Sequence, residues 1–381
     1  MDSNEIINTI KLLSHQLGFV EAGIALPQRP AHFNTFLTWL NDGHAAGMNY
    51  LGTERSVTAR QNPQYLMPEC KSVILFLARY PSGVPSGNRT VQVGHGRVST
   101  YAWGKDYHIV LLDKLEQLIT RFVSITGHPV LYRGFTDSAP LLEREMAVDA
   151  GLGWIGRNSC LISPTHGSFT FISEILTDLP LEQDREIIPD RCGSCHRCMD
   201  ACPTKCILPN RTIAAERCIS YLTIENRGQI PSEFRSLVGD WVFGCDICQS
   251  VCPWNSRVDD SQVDGQFYDN DHIQNLELEL ELSLTEDDFK HIYHDSPVLR
   301  AKRSGYLRNV VLALGNQGES SNRSLVLDVI RIEKEAMIRA AAVWAASKMM
   351  NDQMRDQLLA IQAYEADESV RNELSQILNK G

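Results

Sequence analysis

Eight of the eleven cysteines fall into two runs, Cys192-x2-Cys195-x2-Cys198-x3-Cys202-Pro203 and Cys218-x26-Cys245-x2-Cys248-x3-Cys252-Pro253. Three thiolates two residues apart can wrap one cuboidal four-iron cluster, while a fourth cysteine, turned away by its proline, reaches the other cluster of a pair. The ligand sets are therefore expected to be crossed. Cys192, Cys195, Cys198 and Cys252 would hold one [4Fe-4S] cluster, and Cys202, Cys218, Cys245 and Cys248 the other. Such a pair moves single electrons. Structural zinc favours two separated Cys pairs, or Cys with His, and fits three thiols within seven residues poorly. Disulfides belong to oxidising compartments. Cys70, Cys160 and Cys206 remain, and free cysteines of this kind mostly pack as small apolar side chains.

A chain of 381 residues implies two or three domains. The start, Met1-Asp-Ser-Asn-Glu-Ile, has no basic segment leading into an apolar one, and nothing approaches the roughly 18 apolar residues of a membrane span. A soluble, cytoplasmic monomer without membrane contact is expected. The formal charge of −11 argues against a protein that coats nucleic acid through a globally basic surface. One local basic segment stands out: Arg300, Lys302, Arg303 and Arg308 with Tyr306, following the acidic stretch Glu277 to Asp288.

The elements that must position these residues divide the chain in three. Residues 1–180 read as mixed α and β, with helical periodicity over Ile6 to Leu17 and Tyr107 to Val123, and strands at Ser72 to Ala78 and Ser168 to Ser173. Pro81 to Arg89 is dense in turn formers. Residues 181–258 form the two-cluster unit, whose 26-residue interval between Cys218 and Cys245 is an insertion relative to compact two-cluster ferredoxins. Residues 259–381 comprise a linker and a helical tail in which Arg308, Arg339 and Arg371 each open an apolar helical stripe about thirty residues after the last. That spacing suggests HEAT-like helical pairs, with a plain helical bundle as the alternative. The fold class expected is thus an α+β domain, a ferredoxin-like two-cluster domain and a C-terminal HEAT-like helical repeat domain.

Gly151-Leu-Gly153-Trp-Ile-Gly156 matches the dinucleotide G-x-G-x-x-G pattern, but the preceding Pro140 to Ala150 reads as a helix rather than a strand. Gly151 is better read as the end of that helix.

Four further segments, in this order along the chain with the two cysteine runs, carry a resemblance: Trp103-Gly-Lys-Asp-Tyr-His108, Asp137, Leu142-Glu-Arg144, and Ala150-Gly-Leu-Gly-Trp-Ile-Gly-Arg-Asn158. Together they resemble the epoxyqueuosine reductase family over nearly the whole chain. The resemblance implies a cobalamin-dependent iron–sulfur oxidoreductase that removes the epoxide oxygen of epoxyqueuosine at the wobble position of tRNA, the last step to queuosine. It makes residues 1–180 the cobalamin-binding catalytic domain and the helical tail the tRNA-binding one. An external low-potential donor of flavodoxin or ferredoxin type would supply the electrons.

The resemblance also carries the acidic catalytic residue onto Asp137, in a loop where apolar neighbours would raise its pKa. The bland alternative for an Asp before Ser-Ala-Pro and a helix is an N-cap. For the corrin and its tail it suggests Arg60, Ser99, Lys105, Asn158, Ser168, Ser220 and Asp246. His108 is not taken as a cobalt ligand, because Leu111 replaces the Gly of the D-x-H-x-x-G pattern. Arg300, Lys302, Arg303 and Arg308 are the candidates for tRNA phosphates. Two other readings remain: a corrinoid reductase of a small molecule, dehalogenase-like, which has no need for a basic helical tail, and a ferredoxin-type electron carrier, which leaves the first 180 residues without purpose.

Overall fold

The computed structural model describes residues 2–83, 92–183, 185–258 and 260–379. The part of the turn-rich Pro81 to Arg89 segment beyond residue 83 lies outside the described residues. The chain folds into two compact units rather than three, the first built from Met1–Ser86, Gly104–Glu216 and Asp246–Asp269, the second from Gly87–Trp103, Arg217–Cys245 and Asn270–Gly381. The cysteine region therefore forms no unit of its own. Its insertion departs with the second unit because Ile219, Leu222, Val238, Val242 and Phe243 are buried apolar residues of that unit.

The first unit is centred on a four-stranded antiparallel sheet, ordered Glu21–Ala25, Ser72–Arg79, Thr170–Thr177, Tyr132–Phe135. Every residue of Ser72–Arg79 is buried, which explains an unbroken apolar run where a half-solvated strand would alternate. Val73, Leu75 and Leu77 face a layer formed with Met146 and Ala147 of the helix Glu143–Asp149. On the other face Phe76 meets Phe19, and the helices Ser3–Gln16 and Tyr107–Thr126 cover the sheet. The long helix starts where the Asp106 carboxylate accepts the His108 amide at 3.0 Å, and it ends at Gly127 in the left-handed region. Its buried Lys114 ammonium is paired with Asp264 at 2.6 Å and donates to the Leu17 carbonyl.

The G-x-G-x-x-G segment is no nucleotide loop. Glu143–Asp149 closes on Gly151 at φ +70°, and the two-residue strands Trp154–Ile155 and Leu161–Ile162 pair as a small hairpin.

In the second unit the helices Lys302–Gln317, Ala336–Ser347 and Glu368–Leu378 pack in a row, with Arg323–Ile332 and Asp352–Gln362 layered against them. The insertion docks through its short strand Trp241–Phe243 and helix Ile219–Ile224 onto Lys302–Gln317. Arg308 and Asn309 make that joint. The Arg308 guanidinium, fully buried, donates to the carbonyls of Leu222, Asn226 and Gly228, and Asn309 donates to Thr223 and Val242. Among the described residues, no helix is long and apolar enough to cross a membrane.

Arg308 is thus a structural residue, and its placement among phosphate contacts is corrected: no anion can reach a side chain with no exposed surface. Replacing it by Met should take the donor from the buried Leu222 carbonyl and from the more accessible Asn226 and Gly228 carbonyls, lowering stability by about 2 kcal/mol or more. Lys302→Ala, on the surface, should change it by less than about 0.5 kcal/mol. Urea unfolding midpoints compare the two.

Candidate functional site

Cys192 and Cys195 lie on the loop entering the short helix Arg197–Ala201, Cys198 lies in its first turn, and Cys252 follows the helix Ile247–Ser250. The two helices pack together, so all four thiols line one cavity of about 300 Å³, with Arg157, Asn158 and Trp254 among its walls. Burial pushes the Cys198 and Cys252 thiols up, and neighbouring cysteines of the same set add to it. Among the described residues no three Cys, His, Asp or Glu side chains close on a single point. Four thiols spread round a cavity of this size suit a cuboidal cluster better than a lone zinc ion, and iron would offset the charge that burial resists. No cysteine is disulfide-bonded.

The second expected set is divided. Cys202 and Cys248 belong to the first unit, Cys218 and Cys245 to the second. Cys206, read from sequence as mere packing, has its sulfur 3.5 Å from that of Cys202, and this contact is the main cause that draws the Cys202 thiol down to about 5.

A buried polar knot fixes the Cys252 segment. Asn255 accepts the Ser168 amide at 2.7 Å and donates to the Ser168 hydroxyl and the Gln249 carbonyl. Gln249 in turn donates to the Ser168 carbonyl and the Tyr80 hydroxyl. Gly167, at φ +68°, leaves room for the Asn255 oxygen where any side chain would collide. On the opposite wall Arg157 donates to the Gly193 carbonyl at 2.8 Å, holding the first cysteine loop.

The Asp137 loop follows the strand Tyr132–Phe135. Asp137 is exposed and sits at φ +48°; its amide donates to Glu143 Oε1 at 2.7 Å, and its carboxylate accepts the Tyr107 hydroxyl at 2.8 Å. Tyr107 is itself stacked on Phe171, ring centroids 4.5 Å apart. Asp137 caps no helix, since Glu143–Asp149 begins six residues later with Leu142 as its flanking residue. The apolar surroundings expected for Asp137 are found one layer deeper. Glu174 is fully buried on the sheet face shared by Leu75 and Phe135, and burial, together with the facing Glu143, pushes its carboxyl up. Glu143 is likewise pushed up by burial, then by Asp137. The pair therefore retains a proton where ordinary carboxyls have lost theirs. Arg60, whose guanidinium burial pulls down, is opposed in this by Glu143, Tyr50 and Asp137.

The other corrin candidates scatter. Lys105 is exposed, its amide bonded to the Gln266 carbonyl. Asn158 lines the thiol cavity and its buried Nδ2 has no partner, so it can donate to a cluster sulfide. Ser168 is held in the Asn255 knot, and Asp246 is buried at the start of Ile247–Ser250. Ser99, buried against Gly244, and Ser220, on Ile219–Ile224, belong to the second unit. Phe171, Tyr107 and His108 stack one on the next beside Asp137, with the Phe171 and Tyr107 rings buried. In the basic segment, Arg303 pairs with Glu333 at 2.7 Å and Arg300 with Glu225 at 2.7 Å. The four cations thus form no common edge, because two are neutralised by partners and Arg308 is buried.

Two family models match the chain: "4Fe-4S double cluster binding domain" over residues 191–255, and "Epoxyqueuosine reductase QueG, DUF1730" over residues 60–138. Over 348 residues the chain is 36% identical to the epoxyqueuosine reductase of Pseudomonas aeruginosa, covering 90% of this chain and 94% of that protein. The chain belongs to the epoxyqueuosine reductase family. The corresponding protein of Aliivibrio fischeri is 38% identical over 83% of this chain and 84% of its own. The fold matches a crystal structure of epoxyqueuosine reductase with an epoxyqueuosine-modified tRNA-Tyr stem loop at a TM-score of 0.91, with 27% identity and 99% of each chain covered. It also matches a Bacillus subtilis family member, described with its aspartate-bearing catalytic loop swung out of the active site, at 0.90 and 26% identity, again with 99% of each chain covered. Family members are oxidoreductases that reduce epoxyqueuosine in tRNA to queuosine.

The carboxyl pair predicts a pH signature. A carboxyl raised in the folded state is no burden below its unfolded pKa, and destabilises progressively as pH rises above it. Glu174→Gln should therefore gain stability relative to wild type as the pH rises from 5 to 8. Denaturant midpoints at both pH values check this.

Proposed function

We propose that this chain reduces epoxyqueuosine to queuosine at the wobble position of tRNA, with cobalamin beside the exposed Asp137 loop and electrons delivered through two [4Fe-4S] clusters held by the crossed cysteine sets. The observation that carries the reading is the Asp137 loop, an exposed carboxylate fixed by Tyr107 and Glu143. Opening an epoxide to an alkene consumes two electrons and two protons and releases water. Cobalamin, when bound, supplies the strongly nucleophilic reduced metal that this cleavage calls for.

The chain's residues provide the rest. Asp137 delivers a proton to the departing oxygen, Tyr107 orients its carboxyl, and Glu143 holds its backbone in the left-handed turn. Arg60, beside Asp137 and Glu143, and Lys105 supply positive charge toward the corrin's polar rim. Ser99, Ser168, Ser220 and Asp246 serve chiefly to hold the surrounding backbone, and Asn158 donates to the first cluster. The row of helices over residues 302–378 is a HEAT-like stack that carries the tRNA, with the exposed Lys302 at its start. Eleven cysteines without a disulfide suit a reducing, cytoplasmic setting, in which the chain works as a monomer fed by an external low-potential donor.

The test is anaerobic turnover of epoxyqueuosine-containing tRNA, followed by nucleoside digestion. Wild type loaded with cobalamin should yield queuosine. Asp137→Asn should lower turnover by about 10²- to 10⁴-fold, the usual contribution of a positioned acid, while still binding tRNA. Near-normal activity in the Asn protein would place the acid elsewhere.

A further inference from the structure

The thiol cavity opens beside a group of arginines that neither the cysteine ligands nor the catalytic loop uses. Arg191, Arg197 and Arg257 all line it and are all exposed. Each lacks a hydrogen-bond or ion-pair partner among the described residues, whereas Arg211, just behind them, is paired with Asp190 at 2.6 Å. Arg157 adds a fourth guanidinium in the wall. Asp200 is also exposed here, and the Lys205 ammonium donates to its backbone carbonyl at 2.7 Å. In a chain of net charge −11, this concentrates positive charge at one opening. The four cysteines at its floor are partly exposed, so an electron can enter there from outside.

We propose that Arg191, Arg197 and Arg257 form the docking surface for a small acidic one-electron carrier protein, which hands electrons to the cluster held by Cys192, Cys195, Cys198 and Cys252. This rests on the iron–sulfur part of the proposed function and names its partner. The remainder of an acidic chain repels such a carrier, and a local cationic ring selects both the face and the orientation of approach. RNA is the other polyanion that could sit here, but contact with the thiols serves an electron source and does nothing for a base. In the transfer, one electron leaves the carrier's anionic flavin hydroquinone, which becomes the neutral semiquinone, and reduces one oxidised cluster. No proton moves and no bond is made or broken.

The experiment mixes the anaerobically reconstituted full chain with flavodoxin hydroquinone in a stopped-flow instrument and follows cluster bleaching, without tRNA or cobalamin. The second-order rate should fall at least tenfold from low to moderate salt. The Arg191→Gln, Arg197→Gln, Arg257→Gln protein should lose about tenfold at low salt and most of the salt dependence. Its iron content, and its reduction by a photogenerated deazaflavin radical, should match wild type. A rate insensitive to both salt and the triple change would overturn the proposal. So would a triple variant that keeps its flavodoxin rate but loses tRNA affinity, which would make the surface an RNA contact. Because no tRNA or cobalamin is present, failure here is distinguishable from failure of the reductase reading, which nucleoside analysis reports.

Discussion

Four thiols from two segments distant in sequence must meet around one cavity, and much of the first unit is arranged to meet that condition. Cys252 is placed by the Asn255, Ser168 and Gln249 knot, which ties the second cysteine run to the loop entering the Thr170–Thr177 strand. The first run is held from the hairpin side, where Arg157 grips the Gly193 carbonyl and Arg211 bonds to both Ile155 and Asp190. Buried amides of this kind have few alternatives to their partners, so the geometry is rigid before any metal arrives.

The same strand that receives the knot carries Glu174 four residues after Thr170, beneath the Asp137 loop. The thiol cavity and the Asp137 loop are thereby attached to one piece of regular structure. Glu143 links the two layers, since it accepts the Asp137 amide on one side and faces Glu174 on the other. The Glu143 carboxylate accepts the Asp137 amide and the Tyr107 hydroxyl donates to the Asp137 carboxylate, so two hydrogen bonds hold this loop at φ +48°.

The cysteine runs, the buried strand at Ser72–Arg79 and the helix end at Gly151 could all be read from sequence, because each depends on local spacing or on a backbone only glycine adopts easily. Glu174 could not. Its neighbours Ile172 and Leu176 lie on the same face, but whether that face is solvated is decided by a distant helix, Glu143–Asp149, folding over it. Arg308 misled for a related reason. In a row of Arg and Lys it looked like surface charge, yet the carbonyls that bury it belong to the insertion between Cys218 and Cys245. Arg191, Arg197 and Arg257 carry no sequence signal as a group, because they are scattered singly among cysteines and meet only once the cavity forms.

The most direct test of the account is spectroscopic, on the anaerobically reconstituted Cys252→Ser protein beside wild type and Cys206→Ser. Wild type should hold about eight irons, two four-iron cubanes. Cys252→Ser should alter the electron paramagnetic resonance signal of one reduced cluster only, the one shared with Cys192, Cys195 and Cys198, while Cys206→Ser keeps the full iron content. Unchanged signals from both clusters in Cys252→Ser, or a wild type that fills with zinc, would contradict the crossed assignment on which the electron path depends.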